Sequence, residues 1–176
     1  SALSANTTTA SGSYNTGIGS QALFNNTSAS YNTVVGYQAL YTSTTYGGNT
    51  VLGYQAGYTA NGGSGNTLIG ANAGYSLTTG TLNTFIGCAN GTTSSGYYVT
   101  TGGYNTIIGA YNGNQGGLDI RTASNYIVLS DGAGNPRFYC DNNAIFKNGT
   151  SYTVGVQNWS WNGDIFWYGG DAAGYN

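Results

Sequence analysis

A five-residue pattern, Asn-Thr-x-aliphatic-Gly, recurs along this chain at a fixed interval. The first five copies start 17 residues apart, and a sixth follows a longer insertion. The six starts are Asn15, Asn32, Asn49, Asn66, Asn83 and Asn105. A period kept over four successive intervals is the signature of a repeat protein in which each unit packs against the next.

The 17-residue unit is too short to hold a pair of helices. Its glycine, threonine and aromatic residues favour short strands joined by tight turns. We therefore expect an all-β fold, a parallel β-solenoid or β-roll of about six coils, over residues 14–118. Coils stacked at the strand spacing of ~4.8 Å would form a rod roughly 25–30 Å long.

Each position of the repeat predicts a column of equivalent side chains along the rod. The six asparagines are expected to form an amide ladder, each bonding the coils on either side. The glycine that ends the pattern marks a sharp bend or a close approach of two backbones. Further columns predict a second amide ladder and a stack of rings. They are Gln21, Gln38, Gln55 and Asn72, and Phe24, Tyr41, Tyr58 and Tyr75.

Two neighbouring columns of the pattern are both apolar, although successive side chains of a strand point to opposite faces. The third position holds Val34, Val51, Leu68, Phe85 and Ile107, and the fourth holds Val35, Leu52, Ile69, Ile86 and Ile108. One column can fill the coil, which leaves the other as an aliphatic stripe that soluble monomers rarely expose. This predicts burial against other copies around a common axis. Closed symmetry allows a trimer or a dimer, and we expect a homotrimer because it is the usual solution for such rods. The alternative is a flattened monomeric solenoid in which the loop that follows each strand covers the stripe.

Composition excludes several classes of partner. Charged residues make up 5% of the chain, and only three residues are basic. No basic patch can therefore neutralise phosphates, which argues against nucleic-acid binding. No apolar run approaches the ~20 residues of a membrane span, so we expect no membrane insertion.

The residue types that catalysis usually needs are scarce. The chain has no His and no Glu, which excludes Ser-His-Asp machinery and leaves only aspartate pairs such as Asp164 with Asp171. We expect no enzymatic activity, no cofactor and no metal site. The Asp131 and Asp141 segments are interpreted as turns rather than calcium loops. Cys88 is expected to be a small buried or half-buried side chain.

The period breaks after about residue 118, which suggests four segments. These are an N-terminal leader (1–13), the solenoid (14–118), a transition strand and turn (119–140) and a β-rich C-terminal module (141–176). All the Lys, Arg and Asp residues lie beyond the solenoid, and an aromatic cluster lies near the end. This cluster is either a sugar- or receptor-binding tip or the core of a cap. Its candidate binding residues are Trp159, Trp161, Asp164, Trp167 and Tyr168.

The pattern resembles repeats of two known classes of fibre. Asn-Thr-x-aliphatic-Gly-x-x-Ala is similar to the head repeats of trimeric autotransporter adhesins. The stretches from Asn32 to Tyr41 and from Asn49 to Tyr58 look closer to repeats in the tail fibres of tailed bacteriophages, as does the segment from Ser124 to Tyr139. The resemblance implies a trimeric parallel β-roll that presents a surface recognising a host glycan or receptor. No stalk or membrane anchor is recognisable, which favours the phage fibre.

The leading functional hypothesis is therefore a structural host-attachment fibre on a virion surface or in the extracellular space. Three alternatives stay open. One is a bacterial trimeric adhesin head, and another is an ice-binding solenoid, because the second position of the pattern is always Thr. The third is a polysaccharide-degrading tailspike, for which the acid count is low.

Overall fold

The fold is seen in a computed structural model that describes residues 12–89, 91–143, 146–148 and 152–153. A three-residue strand forms at every copy of the repeat pattern. These parallel strands are β1 (Thr16–Ile18), β2 (Thr33–Val35), β3 (Thr50–Leu52), β4 (Thr67–Ile69), β5 (Thr84–Ile86) and β6 (Thr106–Ile108). The predicted all-β solenoid of stacked coils is thus confirmed.

The strands pair in register, so each repeat position lies directly above its equivalent. Thr33 pairs with Thr50, for example, and Val34 with Val51. Backbone hydrogen bonds also join consecutive coils outside the strands, as from Leu40 N–H to the carbonyl oxygen of Ala56 at 2.9 Å. Each coil therefore rests on its neighbours around much of its circumference, as a solenoid requires.

The glycine that ends each pattern turns the chain sharply out of the strand. Gly36 has a φ of 142°, which few L residues adopt. A side chain there would collide with the carbonyl oxygen of Gly53 in the next coil. The glycine column thus serves both roles considered from the sequence, the bend and the close backbone approach.

The core is a narrow column of apolar side chains inside the coils. The third position of the pattern points inward and is almost completely buried from Val34 onward. The alanines that follow the glutamine column lie beside it, and Leu23 and Leu40 fill the first coils. The core members at the third position are Val34, Val51, Leu68, Phe85, Ile107 and Val128.

A seventh parallel strand, β9 (Ile127–Ser130), continues the stack beyond the six copies of the pattern. It pairs with β6 in the same register, Ile107 opposite Val128. The sheet then changes direction, because β10 (Pro136–Cys140), β11 (Phe146–Asn148) and β12 (Tyr152–Thr153) add as antiparallel strands. The described part of the predicted C-terminal module is thus an extension of the solenoid sheet.

Two insertions lengthen the later coils without shifting the columns. The fifth coil contains a 3-10 turn (Gly91–Thr93), and the sixth carries the hairpin of β7 (Asn114–Gln115) and β8 (Leu118–Asp119). Tyr111 is fully buried beneath this hairpin, and its hydroxyl donates to the carbonyl oxygen of Leu118 at 2.8 Å. Burial raises the pKa of Tyr111 well above its ordinary value.

Candidate functional site

The six asparagines form a continuous hydrogen-bonded series through the solenoid, here called the amide ladder. Asn49 shows the arrangement, because its backbone N–H and its Nδ2 both donate to Oδ1 of Asn32, at 3.0 and 3.1 Å. Oδ1 of Asn49 in turn accepts from the N–H of Asn66 at 2.9 Å. The series ends where Oδ1 of Asn105 accepts from the N–H of Tyr126.

The same side chains also close each coil on itself. Nδ2 of Asn66 donates to the carbonyl oxygen of Gly80 at 3.0 Å, near the end of that coil. Nδ2 of Asn15 makes the equivalent bond to Ala29 at 2.8 Å. Every ladder asparagine from Asn32 onward is buried. The amide ladder is therefore a structural element that keeps buried polar groups satisfied, and it offers no surface to a ligand.

The fourth position of the pattern points away from the core. Ile18, Leu52 and Ile108 are 59%, 47% and 46% exposed, and the other members are partly exposed. The loop that follows each strand does not cover them, so the alternative of a self-covered stripe is wrong. The threonines of the second position lie on the same side. We call these two columns on β1–β6 the outer face; they are Thr16, Thr33, Thr50, Thr67, Thr84 and Thr106, and Ile18, Val35, Leu52, Ile69, Ile86 and Ile108.

Bulky residues in a strained backbone conformation border the outer face. Tyr14, Tyr31, Leu82 and Tyr104 each precede a ladder asparagine and have φ between 55° and 61°. This left-handed conformation costs a bulky L residue about 1 kcal/mol or more. Their side chains are nevertheless more than half exposed. The strain therefore holds large apolar groups at the surface beside the outer face.

A stack of aromatic rings runs along another side of the solenoid. Four successive ring pairs have centroids 5.0–5.1 Å apart and planes within 4–6° of parallel. The rings are only partly buried. We call this stack the aromatic ladder; its members are Phe24, Tyr41, Tyr58, Tyr75 and Tyr97.

The repeat pattern did not predict the last ring of the aromatic ladder, because Tyr97 lies inside the insertion before the sixth copy. The pair Gly96-Tyr97 repeats the pairs Gly57-Tyr58 and Gly74-Tyr75, and that signal could have found it. The chain thus returns a ring to the column despite five extra residues in the coil. Tyr98 meets Tyr97 edge to face at 4.9 Å and ends the stack.

A second amide ladder lies next to the aromatic ladder. Nε2 of Gln38 donates to Oε1 of Gln21, and Nε2 of Gln55 donates to Oε1 of Gln38, both at 2.7 Å. Asn72 continues the series at 3.4 Å. We call this column, Gln21, Gln38, Gln55 and Asn72, the glutamine ladder. Its members are half-buried, so part of each amide faces the surface.

A further ring pair directly precedes two members of the glutamine ladder in the sequence. Tyr37 and Tyr54 stack at 5.5 Å and are 44% and 51% exposed. The phenols of the two stacks lie close enough to affect each other. The pKa of Tyr58 is raised by desolvation and by the neighbouring phenols of Tyr75, Tyr41 and Tyr37. We call the aromatic ladder, the glutamine ladder and this pair together the aromatic strip.

The charged residues of the described chain lie at its C-terminal end. Asp131 accepts the backbone N–H groups of Ala133 and Asn135 and pairs with Arg137. These hydrogen bonds, led by the one from Asn135, lower the pKa of Asp131 to about 2. The segment is a β-turn between two strands, in agreement with the turn interpretation. The Asp119 pKa is lowered chiefly by the side-chain hydrogen bond from Arg121.

The sequence expectation for Cys88 is wrong, because its side chain is exposed. The left-handed turn at Gly87 directs the next residue outward, as it does for Ser20, Tyr37 and Tyr54 in earlier coils. Cys140 is half-buried, and both thiols are free rather than joined by a disulfide.

The predicted binding residues of the aromatic C-terminal cluster lie outside the described residues; they are Trp159, Trp161, Asp164, Trp167 and Tyr168. Within the described part of the chain, no group of three or more His, Cys or acidic side chains could hold a metal ion. No helix in that same part is long and apolar enough to cross a membrane. The surfaces that the structure does provide are the outer face and the aromatic strip.

Comparison with known proteins adds no relative to these observations. No protein-family model, no curated protein and no solved structure matches the chain.

Proposed function

We propose that this chain is a segment of a host-attachment fibre, assembled as a homotrimer of parallel solenoids on a virion surface. A phage tail fibre is the preferred setting over the head of a bacterial adhesin, following the repeat resemblance. The observation that carries the proposal is the outer face, an in-register row of exposed aliphatic side chains along a stack of coils. Residues 12–118 contain no charged side chain that would keep copies apart.

The shape of the outer face supports burial against other copies. Six strands at ~4.8 Å spacing and three residues per strand make a surface roughly 25 Å by 10 Å, in which the aliphatic row is continuous. The largest apolar patches on soluble monomers reach a few hundred Å² and often serve a function. The exposed tyrosines beside it enlarge the patch, and tyrosine is enriched at interfaces. The strain stored at Tyr31 and Tyr104 fits side chains that serve such an interface.

A parallel arrangement around one axis suits this surface best. Because the coils are in register, each coil of one copy meets the same coil of its neighbours at equal height. Closed cyclic symmetry buries every copy equally and leaves no unpaired outer face. An uncharged contact also makes association insensitive to salt.

Native mass spectrometry of the 176-residue chain tests the assembly. We expect a trimer, and we expect Leu52→Asp combined with Ile108→Asp to give folded monomers, because the carboxylates would be buried unpaired. Tyr46→Asp introduces a charge at a site that is 47% exposed and lies outside the outer face. This control should remain trimeric. A monomeric parent chain would contradict the proposal.

Binding to cells tests attachment separately. The exposed thiol of Cys88 accepts a maleimide dye without disturbing the core. Labelled protein should appear as rods in electron micrographs and bind some bacterial strains of a panel but not others. Binding to no strain, or equally to all, would contradict a host-attachment role.

Ice binding is the second candidate, because the threonine column lies beside the aliphatic column at regular strand spacing and is exposed in the first three coils and partly exposed in the next three. It uses the same outer face but needs that face open to solvent. A monomer that produces thermal hysteresis, lost on Thr50→Asp, would favour this function. A trimer without thermal hysteresis would exclude it.

A further inference from the structure

The aromatic strip is a long, uncharged surface built from columns other than those of the outer face. The aromatic ladder extends over four steps of 5.0–5.1 Å along the stack of coils. The glutamine ladder follows it in parallel over four coils. No Asp, Lys or Arg occurs between residues 12 and 118, which include the whole strip.

The aromatic ladder offers ring edges and hydroxyls rather than ring faces. Each inner ring is stacked on both sides, so the face of Tyr58 is covered by Tyr41 and Tyr75. Tyr58 is only partly buried, and its ring lies 5.1 Å from that of Tyr75. A phenol hydroxyl can both donate and accept a hydrogen bond. The ladder therefore presents a row of such groups at a constant interval.

The glutamine ladder adds amide groups at the same interval. The Gln38 side chain gives one N–H to Gln21 and accepts one from Gln55. A primary amide has two N–H donors and two acceptor lone pairs, so one of each is left on Gln38 for solvent or a ligand. The hydrogen bonds along the column hold these groups in fixed orientations, which lowers the entropic cost of binding.

The backbone beneath the strip is already paired between coils. Leu40 N–H donates to Ala56, and Thr42 N–H donates to Tyr58. An extended peptide therefore has no free strand edge to join here. A ligand for this surface must instead match a line of uncharged hydroxyl and amide groups through its own hydroxyls.

We propose that the aromatic strip binds an extended, uncharged, β-linked glycan that lies along the rod axis. Successive sugar rings of such a polymer advance by a distance comparable to one coil, so each sugar meets an equivalent set of phenol and amide groups. The absence of charge on the strip favours neutral over anionic polymers. This inference rests on the proposed attachment function and names a site and a ligand class for it.

Affinity gel electrophoresis of the full chain tests this site. The probes are hydroxyethyl cellulose, glucomannan and arabinoxylan as neutral β-linked polymers, with polygalacturonate and the α-linked pullulan for comparison. We expect at least one neutral β-linked polymer to retard the protein, and neither comparison polymer to do so. Retardation by none of the three neutral β-linked polymers would overturn the proposal, as would equal retardation by polygalacturonate.

The triple variant Tyr41→Phe, Tyr58→Phe, Tyr75→Phe locates the binding. It keeps the stacked rings, as Phe24 already does in the first coil, and removes three hydroxyls. We expect binding to weaken about tenfold or more, because each lost hydrogen bond reduces affinity severalfold. The matched control is Tyr14→Phe, Tyr31→Phe, Tyr104→Phe, which removes three exposed hydroxyls beside the outer face. Equal affinity of both triple variants would overturn the placement of the site.

Two further measurements separate this inference from the fibre proposal. Circular dichroism melting curves should show both triple variants folded, and native mass spectrometry should show both trimeric. A trimer that binds none of the neutral glycans would contradict the proposed glycan site but not the proposed fibre. A monomer whose glycan binding depends on Tyr41, Tyr58 and Tyr75 would contradict the proposed trimeric fibre but not the proposed glycan site.

Discussion

The first five coils and the C-terminal part of the described chain are stabilised by different interactions. Between residues 12 and 88 the coils are joined by uncharged contacts that repeat from coil to coil, namely asparagine and glutamine hydrogen bonds and stacked rings. Between residues 119 and 143 the chain uses charge pairs, Asp119 with Arg121 and Asp131 with Arg137. The repeated part uses the same contacts in coil after coil, whereas the later part ends the solenoid with local turns and antiparallel strands.

The two regions therefore tolerate substitutions differently. In the repeated coils every side chain of a column contacts equivalent groups above and below, so one substitution disturbs three coils. In the later turn, contacts are local and solvent-exposed, so a substitution disturbs only its own loop. The following predictions test that contrast.

The largest effect is expected from Gly36→Ala in the repeated coils. The new Cβ would collide with the Gly53 carbonyl, and the residue would hold a φ of 142°. We expect unfolding free energy to fall by about 4 kcal/mol, measured by urea denaturation. Gly132→Ala in the later turn is the control, because a Cβ there meets no atom within 4 Å. A loss of unfolding free energy below about 1 kcal/mol for Gly36→Ala would contradict the close approach of the two backbones at this position.

A smaller but clear effect is expected from Asn66→Ala. The substitution removes the acceptor of the Asn83 N–H and the donor to the Gly80 carbonyl, both in buried surroundings. Each unsatisfied group costs about 1–3 kcal/mol, so we expect a total loss of about 3 kcal/mol. Asn142→Ala, at an exposed position of the later region, should change stability by less than about 0.5 kcal/mol. Similar losses for both variants would contradict a structural amide ladder.

The smallest effect is expected from acid, and it should be confined to the later region. Asp131 has a pKa of about 2 in the fold against 3.8 ordinarily. Its stabilising effect is therefore complete above pH ~4 and lost as the pH falls through about 2. In NMR spectra, the amide signals of residues 131–135 and of Arg137 should shift between pH 5 and pH 1.5, with those of residues 12–88 unchanged. Asp131→Asn should abolish the shift, and acid-induced changes throughout the coils would contradict the contrast.

The regular coils could be predicted from the sequence because their information is redundant. The Asn, Gly and aliphatic columns each mark the same strand, and they agree over six levels, from Asn15 to Asn105. The inward and outward assignment of Val51 and Leu52 could not be decided from their similar side chains. It depends on the direction in which the coil closes, which the structure provides.

Other structural features could not be predicted because the sequence departs from the repeat pattern where they occur. The seventh coil has Tyr126 in place of the ladder asparagine and Ile127 in place of threonine, so it reads as an isolated strand. The exposure of Cys88 could not be predicted because the inward and outward assignment of the columns was open; with Phe85 inside and Ile86 outside, Cys88 lies on the outer side. The return of Tyr97 to the aromatic ladder depends on how the inserted loop folds back.

The in-register coil makes length a modular property of this molecule. Because each coil contacts only its two neighbours, a complete 17-residue unit can be duplicated or deleted while every column is restored at the junction. Each event would lengthen or shorten the rod by one strand spacing, ~4.8 Å. The length of the rod could thus be adjusted through the number of 17-residue units, without any change in the terminal strands. Extra residues that are not a multiple of the unit must be accommodated within one coil, as in the fifth coil, where Gly91 and Thr92 of the 3-10 turn are exposed.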